Sequence, residues 1–225
     1  PDATTRGRKA ALDLRRTELI EMRTLYLHIG AHRTATSSIQ SFLHANSAAL
    51  QERGIFYPFG VKRHDKLVRD LFAGRTKVAD VAAEIERRAS GRTTEVKSII
   101  LSDEDISLHE DISILGGFRD LFDVKVIYSL RRQDLWLESW YLQNVKWQWN
   151  PKLAHVTLDE SVEGRNEFHW VDYDTYLQHL ERVFGRENVI AYVFEKEQMP
   201  AGPIAKFAEV AGIGSIDGLT DPPHD

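Results

Sequence analysis

The chain contains no cysteine. A disulfide framework, a cysteine nucleophile and a thiolate metal site are therefore excluded. It also lacks any apolar run of about 18 residues, the length needed to cross a bilayer as a helix. No basic excess is present: 29 Lys and Arg stand against 34 Asp and Glu, for a net charge of −5. That balance argues against general nucleic-acid binding, which needs a clustered basic face. The basic opening segment runs into Leu12-Asp13-Leu14-Arg15-Arg16 and not into an apolar stretch, so it does not read as a signal peptide. Two catalytic patterns are missing as well. There is no GxSxG elbow and no HExxH, and the nine histidines show no metal-ligand spacing. The expectation is a cytoplasmic protein without a membrane span, a metal or a nucleic-acid partner.

What is present is a chain of 225 residues, 42% apolar and long enough to bury one full core. Residues 1–23 are polar and charged, and Met22 stands directly before the first strand-like run, so they read as an N-terminal extension or tag-like segment. Four short runs rich in β-formers follow: Thr24–Ile29, Val96–Ser102, Val124–Leu130 and Val189–Phe194. Ile55–Pro58 adds a short extended piece. Helical spacing is read from Thr36 onward, over His64–Phe72, Val78–Arg88, Ile112–Phe122, Gln133–Trp147 and Tyr173–Phe184, and from Pro203 to near Gly212. Val156–Trp170 reads as an irregular excursion. Apolar strands alternating with helices predict an α/β domain over residues 24–214, with a central parallel sheet of about four to five strands flanked by helices. Residues 215–225 read as a polar tail.

The first candidate for chemistry is Gly30–Ser38, GAHRTATSS, placed where a strand ends and a helix begins. Free backbone N–H groups and the helix dipole make such a turn an anion cradle. Arg33 adds a permanent cation, and Thr34, Thr36, Ser37 and Ser38 add hydroxyls. Thr36 or Ser37 is the expected N-cap. No Asp or Glu occurs from Met22 through Gln51, where the average acid content would place roughly four to five. The strict P-loop GxxxxGK[ST] is not met, since Ala35 takes the second glycine and Thr36 the lysine. An ordinary strand-to-helix turn with Ser and Thr caps fits the same residues.

His28, Ile29, Gly30, His32, Thr34, Thr36, Ser38, Ile39 and Gln40, with Gly54, Ile55, Tyr57 and Pro58, resemble the opening of sulfotransferases that use 3′-phosphoadenosine 5′-phosphosulfate (PAPS). Bacterial members typically read HIGxHKTGTTSIQ there. The resemblance implies a P-loop-like fold and a sulfuryl transfer from PAPS to a hydroxyl of a small-molecule or carbohydrate acceptor, with a carbohydrate or lipid-linked sugar expected. It assigns the phosphosulfate to His32, Arg33, Thr34, Ala35, Thr36, Ser37 and Ser38. Arg33 replaces the family lysine that stabilises charge on the leaving group, and Ala35 replaces its glycine. Arginine is a planar fork and not a movable ammonium, and alanine is strained if the position needs φ > 0.

A second family motif, an Arg and a Ser eight residues apart that hold the 3′-phosphate, is matched by Arg131 and Ser139. Eight helical steps leave an offset of about 80°, so both can face one ligand. By themselves, Arg131 and Arg132 also fit a solvated helix start paired with Asp134 or Glu138. Three side chains are candidates for the base: Glu104, in a segment resembling the family's Ser-x-Glu; His64, near where many members carry a histidine; and His32. Each has a structural alternative, an acidic helix start for Glu104 and a surface imidazole for His64. Trp136, Trp140 and Trp147 fall within about 40° of one another and read as core, with Trp147 and Trp149 better placed to stack on a sugar. The family usually carries a basic segment after the last helix that closes over the 3′-phosphate; no Lys or Arg follows Lys206 in these 225 residues, which reads as an incomplete site through truncation or divergence. Two other readings fit the same residues: a nucleotide-binding phosphotransferase with a degenerate P-loop, and a non-catalytic relative that binds a partner.

Overall fold

The computed structural model describes residues 22–148, 150 and 155–221. Residues 1–21 of the segment read as an extension, Trp149, residues 151–154 and the last four residues lie outside the described residues. Five strands form one sheet: β1 (Thr24–His28), β2 (Ile55–Phe56), β3 (Ser98–Ser102), β4 (Asp123–Leu130) and β5 (Val189–Val193). All pairings are parallel, in the order β2-β3-β1-β4-β5. The four apolar runs became the four longer strands, and the Ile55–Pro58 piece became the edge strand β2. A parallel sheet is covered on both faces, which is why its strands are nearly continuous in apolar residues.

Alternate residues serve two separate cores. Leu25, Leu27, Ile99, Leu101, Val124, Val126 and Tyr128 face one layer. That layer holds α3 (Asp65–Phe72), α4 (Val78–Ser90) and α7 (Tyr173–Phe184). Ile100, Ile127 and Tyr192 face the other. There α1 (Thr36–Ala45), α2 (Ser47–Glu52) and α8 (Gly202–Val210) cover the sheet. A smaller cluster of Trp136, Leu137, Trp140 and Phe168 sits where α5 (Gln133–Trp147) meets the excursion, which contains the short helix α6 (Leu158–Glu163). Trp136 and Trp140 are thus core, while Trp147 is 55% exposed.

Two local readings change. The Ile112–Phe122 helix is a 3₁₀ stretch, Ser113–Asp120. Its glycines let it sit against neighbours: a Cβ on Gly116 would meet Val183 at 3.2 Å and one on Gly117 would meet Val78 at 3.3 Å. Residues 215–221, read as a polar tail, are docked. Asn46 exchanges two hydrogen bonds with the Thr220 backbone, at 2.7 and 2.8 Å. Arg53 donates to the carbonyls of Ser215 and Asp217, and Ile216 and Leu219 pack on the second core.

The connections locate a crevice. From β1 the chain passes to α1 on one face, and from the neighbouring β4 it passes through α5 to α7 on the other. Adjacent strands whose connections leave to opposite faces open a crevice at their carboxyl ends. Phe207 of α8 is fully buried under this edge, with its ring 4.8 Å from that of His28. Phe207→Ala should destabilise the fold by about 3–5 kcal/mol, measured by urea unfolding; a loss below about 1 kcal/mol would contradict this packing.

Candidate active site

The loop between β1 and α1 is held from three sides. Ladder bonds run past the strand end: Ile29 N–H donates to Ile127 O at 3.1 Å and Ser129 N–H to Gly30 O at 2.6 Å. On the other side Asp103 N–H donates to His28 O at 3.0 Å. From above, Trp136 Nε1 donates to His32 O at 2.8 Å and Arg131 Nη1 to Arg33 O at 2.9 Å. Gly30 has φ +97°, and a Cβ there would stand 3.0 Å from Glu104 Cβ. The glycine is needed for both conformation and space.

The expected N-cap by Thr36 or Ser37 does not form. The N-cap is Ala35, in the left-handed region at φ 60° and ψ 23°, with no side-chain capping bond. The Ala35 position does require φ > 0, which the family's glycine would meet without strain. The first N–H groups of α1 have no partner within the helix and no side chain caps them, so they remain available to an anion. Among the expected anion ligands, Thr34 is fully buried and its hydroxyl donates to Ala31 O at 2.6 Å, bracing the loop. Thr36 is 5% exposed; Ser37 is exposed and Ser38 half-buried.

Arg33 also has positive φ, +64°. Its side chain crosses to α5, where Nε donates to Ser139 Oγ at 2.8 Å and Nη1 to Gln143 Oε1 at 2.9 Å. Burial, and then the neighbouring charge of Arg131, lower its pKa from the ordinary value. Neither Arg33 nor Arg131 forms an ion pair with an acid among the described residues. Arg132, by contrast, is tied to Asp134, as the solvated-start reading expects. The fold therefore brings Arg33, Arg131 and Ser139 together at the β1–β4 crevice.

The three base candidates occupy different settings. Glu104 is 6% exposed; its Oε2 accepts from Gln40 Nε2 at 2.7 Å, and its Oε1 lies 3.4 Å from Arg63 Nη1. His64 is 2% exposed and not a surface imidazole. Its Nδ1 accepts from Ser102 N–H at 3.1 Å, and Nε2 lies 3.2 Å from Pro58 O. Burial, partly offset by these backbone contacts, moves its pKa down to about 4. His64 so placed has no lone pair for an incoming hydroxyl. His32 packs edge-on against Trp140, with Nε2 3.1 Å from Asp105 Oδ1.

Sequence reasoning gave no site role to several residues that tie this site together. Arg63 reaches Asp103 at 2.8 Å and also Asp105. Against the cost of burial, the Asp103 hydrogen bond and the charges of Glu104 and Asp103 hold its pKa above the ordinary value. Burial raises Asp103 to about 6 even though Arg63 pulls the other way. For Asp105, His32 and Arg63 outweigh burial and bring the pKa down to about 2. Gln40 also donates to Ser102 Oγ at 3.3 Å, and Ser102 Oγ lies 2.8 Å from Nδ1 of the fully buried His28. Burial lowers His28 to about 3. In the sequence Gln40 was marked only as part of the motif that carries the resemblance, with no role attached, and nothing marked Arg63. A separate cavity of about 460 Å³ beside α5 is lined by Gln133, Leu137, Glu138, Leu158 and Arg165 among others. None of its lining residues belongs to the β1–α1 loop.

Two outcomes follow. Ala35→Gly removes a left-handed alanine, a strain of about 1–2 kcal/mol, against a glycine entropy cost of about 0.4–1 kcal/mol. Thermal unfolding should show a net gain of about 0.5–1 kcal/mol; a loss would refute strain at Ala35. Acid stability carries a second test. His28 and His64, ordinarily near 6.5, are held neutral in the fold, so the unfolded chain binds two more protons between about pH 4 and 6. Over that range Asp103, raised from 3.8, binds one more in the fold. The net excess is one proton in the unfolded state, so stability should fall by about 1.4 kcal/mol per pH unit from pH 6 toward 4. A flat profile in urea unfolding would contradict neutral burial of both imidazoles.

No family model matches the chain. An uncharacterized protein of Archaeoglobus fulgidus is 30% identical over 110 residues, a match that takes in 47% of this chain and 28% of that protein. The chain thus spans less than a third of that relative's length. The crystal structure of a sulfotransferase from Alicyclobacillus acidocaldarius superposes over 90% of this chain and 86% of that one, with a TM-score of 0.55 and 18% identity. At that identity the likeness is one of fold: the five-stranded parallel sheet and its flanking helices are arranged as in a sulfotransferase.

Proposed function

We propose that the protein transfers a sulfuryl group from PAPS to a hydroxyl of a small-molecule or carbohydrate acceptor. The observation that carries this reading is the meeting of two motifs 98 to 106 residues apart, through the Arg131–Arg33 and Arg33–Ser139 hydrogen bonds, beside the uncapped start of α1. Two guanidiniums without acid partners and a set of free N–H groups fit a ligand with two anionic ends. PAPS would supply the sulfuryl group, leaving 3′-phosphoadenosine 5′-phosphate.

In this reading the N–H groups of Thr36, Ser37 and Ser38 hold the phosphosulfate end. They meet the charge that develops there as fixed dipoles that need no reorganisation. Arg131 and Ser139 hold the 3′-phosphate. Glu104 is assigned as the base: its carboxylate adjoins Gly30, it is aimed by Gln40, and it accepts the proton of the acceptor hydroxyl. The scheme asks for no metal. Among the described residues no cluster of His, Asp or Glu is arranged to hold one. None of the described helices is long and apolar enough to cross a membrane.

Isothermal calorimetry with 3′-phosphoadenosine 5′-phosphate tests the reading directly. Binding in the micromolar range is expected, with an affinity loss of at least about tenfold in Arg131→Ala, the size of one charge-assisted hydrogen bond. No binding at millimolar nucleotide sinks the proposal, and tight ATP–Mg²⁺ binding in its place would favour the phosphotransferase reading. With an acceptor that is turned over, Glu104→Gln should lower kcat by about 10²–10⁴ while leaving nucleotide affinity unchanged.

A further inference from the structure

Arg33 stands where the resembling family places a lysine on the phosphosulfate, yet its side chain goes elsewhere. The residue has φ +64° and is exposed. Its guanidinium is fixed at two points on α5, Ser139 Oγ at 2.8 Å and Gln143 Oε1 at 2.9 Å. These two positions lie four residues apart, on one ridge of the helix. The α1 N-terminus keeps its own free donors with no help from this side chain.

Arg131 joins the same spot by donating to the Arg33 carbonyl at 2.9 Å. The fold has thus gathered two permanent cations and a hydroxyl without any acid to neutralise them among the described residues. Like charges held together cost free energy unless an anion is bound between them. A phosphate monoester, carrying close to two negative charges and three acceptor oxygens, matches a pair of guanidinium forks better than a sulfate ester with one charge.

We infer that Arg33 belongs to the 3′-phosphate pocket with Arg131 and Ser139, as a specificity-determining residue for a 3′-phosphorylated nucleotide, and not to the phosphosulfate end. This rests on the PAPS reading above. It leaves the leaving-group charge to the α1 N–H groups, and it gives Gln143 the task of positioning Arg33.

The two phosphorus atoms of 3′-phosphoadenosine 5′-phosphate allow a direct test by ³¹P NMR on the full chain, wild type and Arg33→Ala. Arg33 is exposed, so the variant should unfold at the wild-type temperature. At saturating nucleotide, the bound 3′-phosphate resonance should move toward its free-ligand position in Arg33→Ala while the 5′ resonance stays. Affinity should fall by about tenfold to a hundredfold. Adenosine 5′-phosphate, which lacks the 3′ group, should compete equally well against both proteins. A displaced 5′ resonance with an unmoved 3′ one overturns the inference, as does unchanged affinity. If the wild type itself fails to bind at millimolar nucleotide, the PAPS reading fails, a result distinct from binding that ignores Arg33.

Discussion

The site depends on the hydrogen-bond ladder that β1 continues beyond its last paired residue. Because β1 lies between β3 and β4, its carbonyls and N–H groups are gripped from both sides as far as Gly30 and Asp103. The chain then has to turn within a few residues into α1. The turn is made with positive φ at Gly30, Arg33 and Ala35, and the Arg33 side chain reaches Ser139 and Gln143 on α5. Such conformations persist only when surroundings over-determine them. Here Trp136 and Arg131 hold the carbonyls of His32 and Arg33, and Glu104 packs closely against Gly30.

Beside the loop runs a polar chain of the buried His28, Ser102, Gln40, Glu104 and Asp103 with the half-buried Arg63 and Asp105. Burying so many polar groups is costly unless they satisfy one another. Most do, and the arrangement orients the Glu104 carboxylate from both of its oxygens. Arg63 comes from the segment after β2, Gln40 from α1 and the acids from the end of β3. Three elements distant in sequence thus meet on one carboxylate. The same network makes the electrostatics uneven. Carboxylates gather on the β3 side, and guanidiniums without an acid partner among the described residues stand on the β4 side. The acidic net charge of the whole chain does not conflict with this, since an anionic ligand responds to the local field of the crevice.

Much of the fold was legible because its signals are local or periodic. Short apolar runs closed by glycine or polar residues predicted the strands within a residue or two, and α5 and α7 matched their predicted spans. The 3₁₀ form of Ser113–Asp120 was not legible, since its double glycine serves contacts with Val78 and Val183 that no local pattern records. Thr34 reads as a phosphate ligand by type and spacing, but its hydroxyl is spent on the Ala31 carbonyl. His64 reads by position as a base or as a surface imidazole, but the return of the chain from β2 buries it against Pro58 and Ser102.

By itself, then, the sequence determined the alternation of strands and helices, the acid-free stretch around Gly30–Ser38, and the spacing of Arg131 and Ser139. These follow from residue types and their period along the chain. The tertiary structure alone decided which donors stayed free, which cations went unpaired and where Arg33 points. Those outcomes depend on partners about a hundred residues away, and only packing of the sheet brings such partners within hydrogen-bond reach.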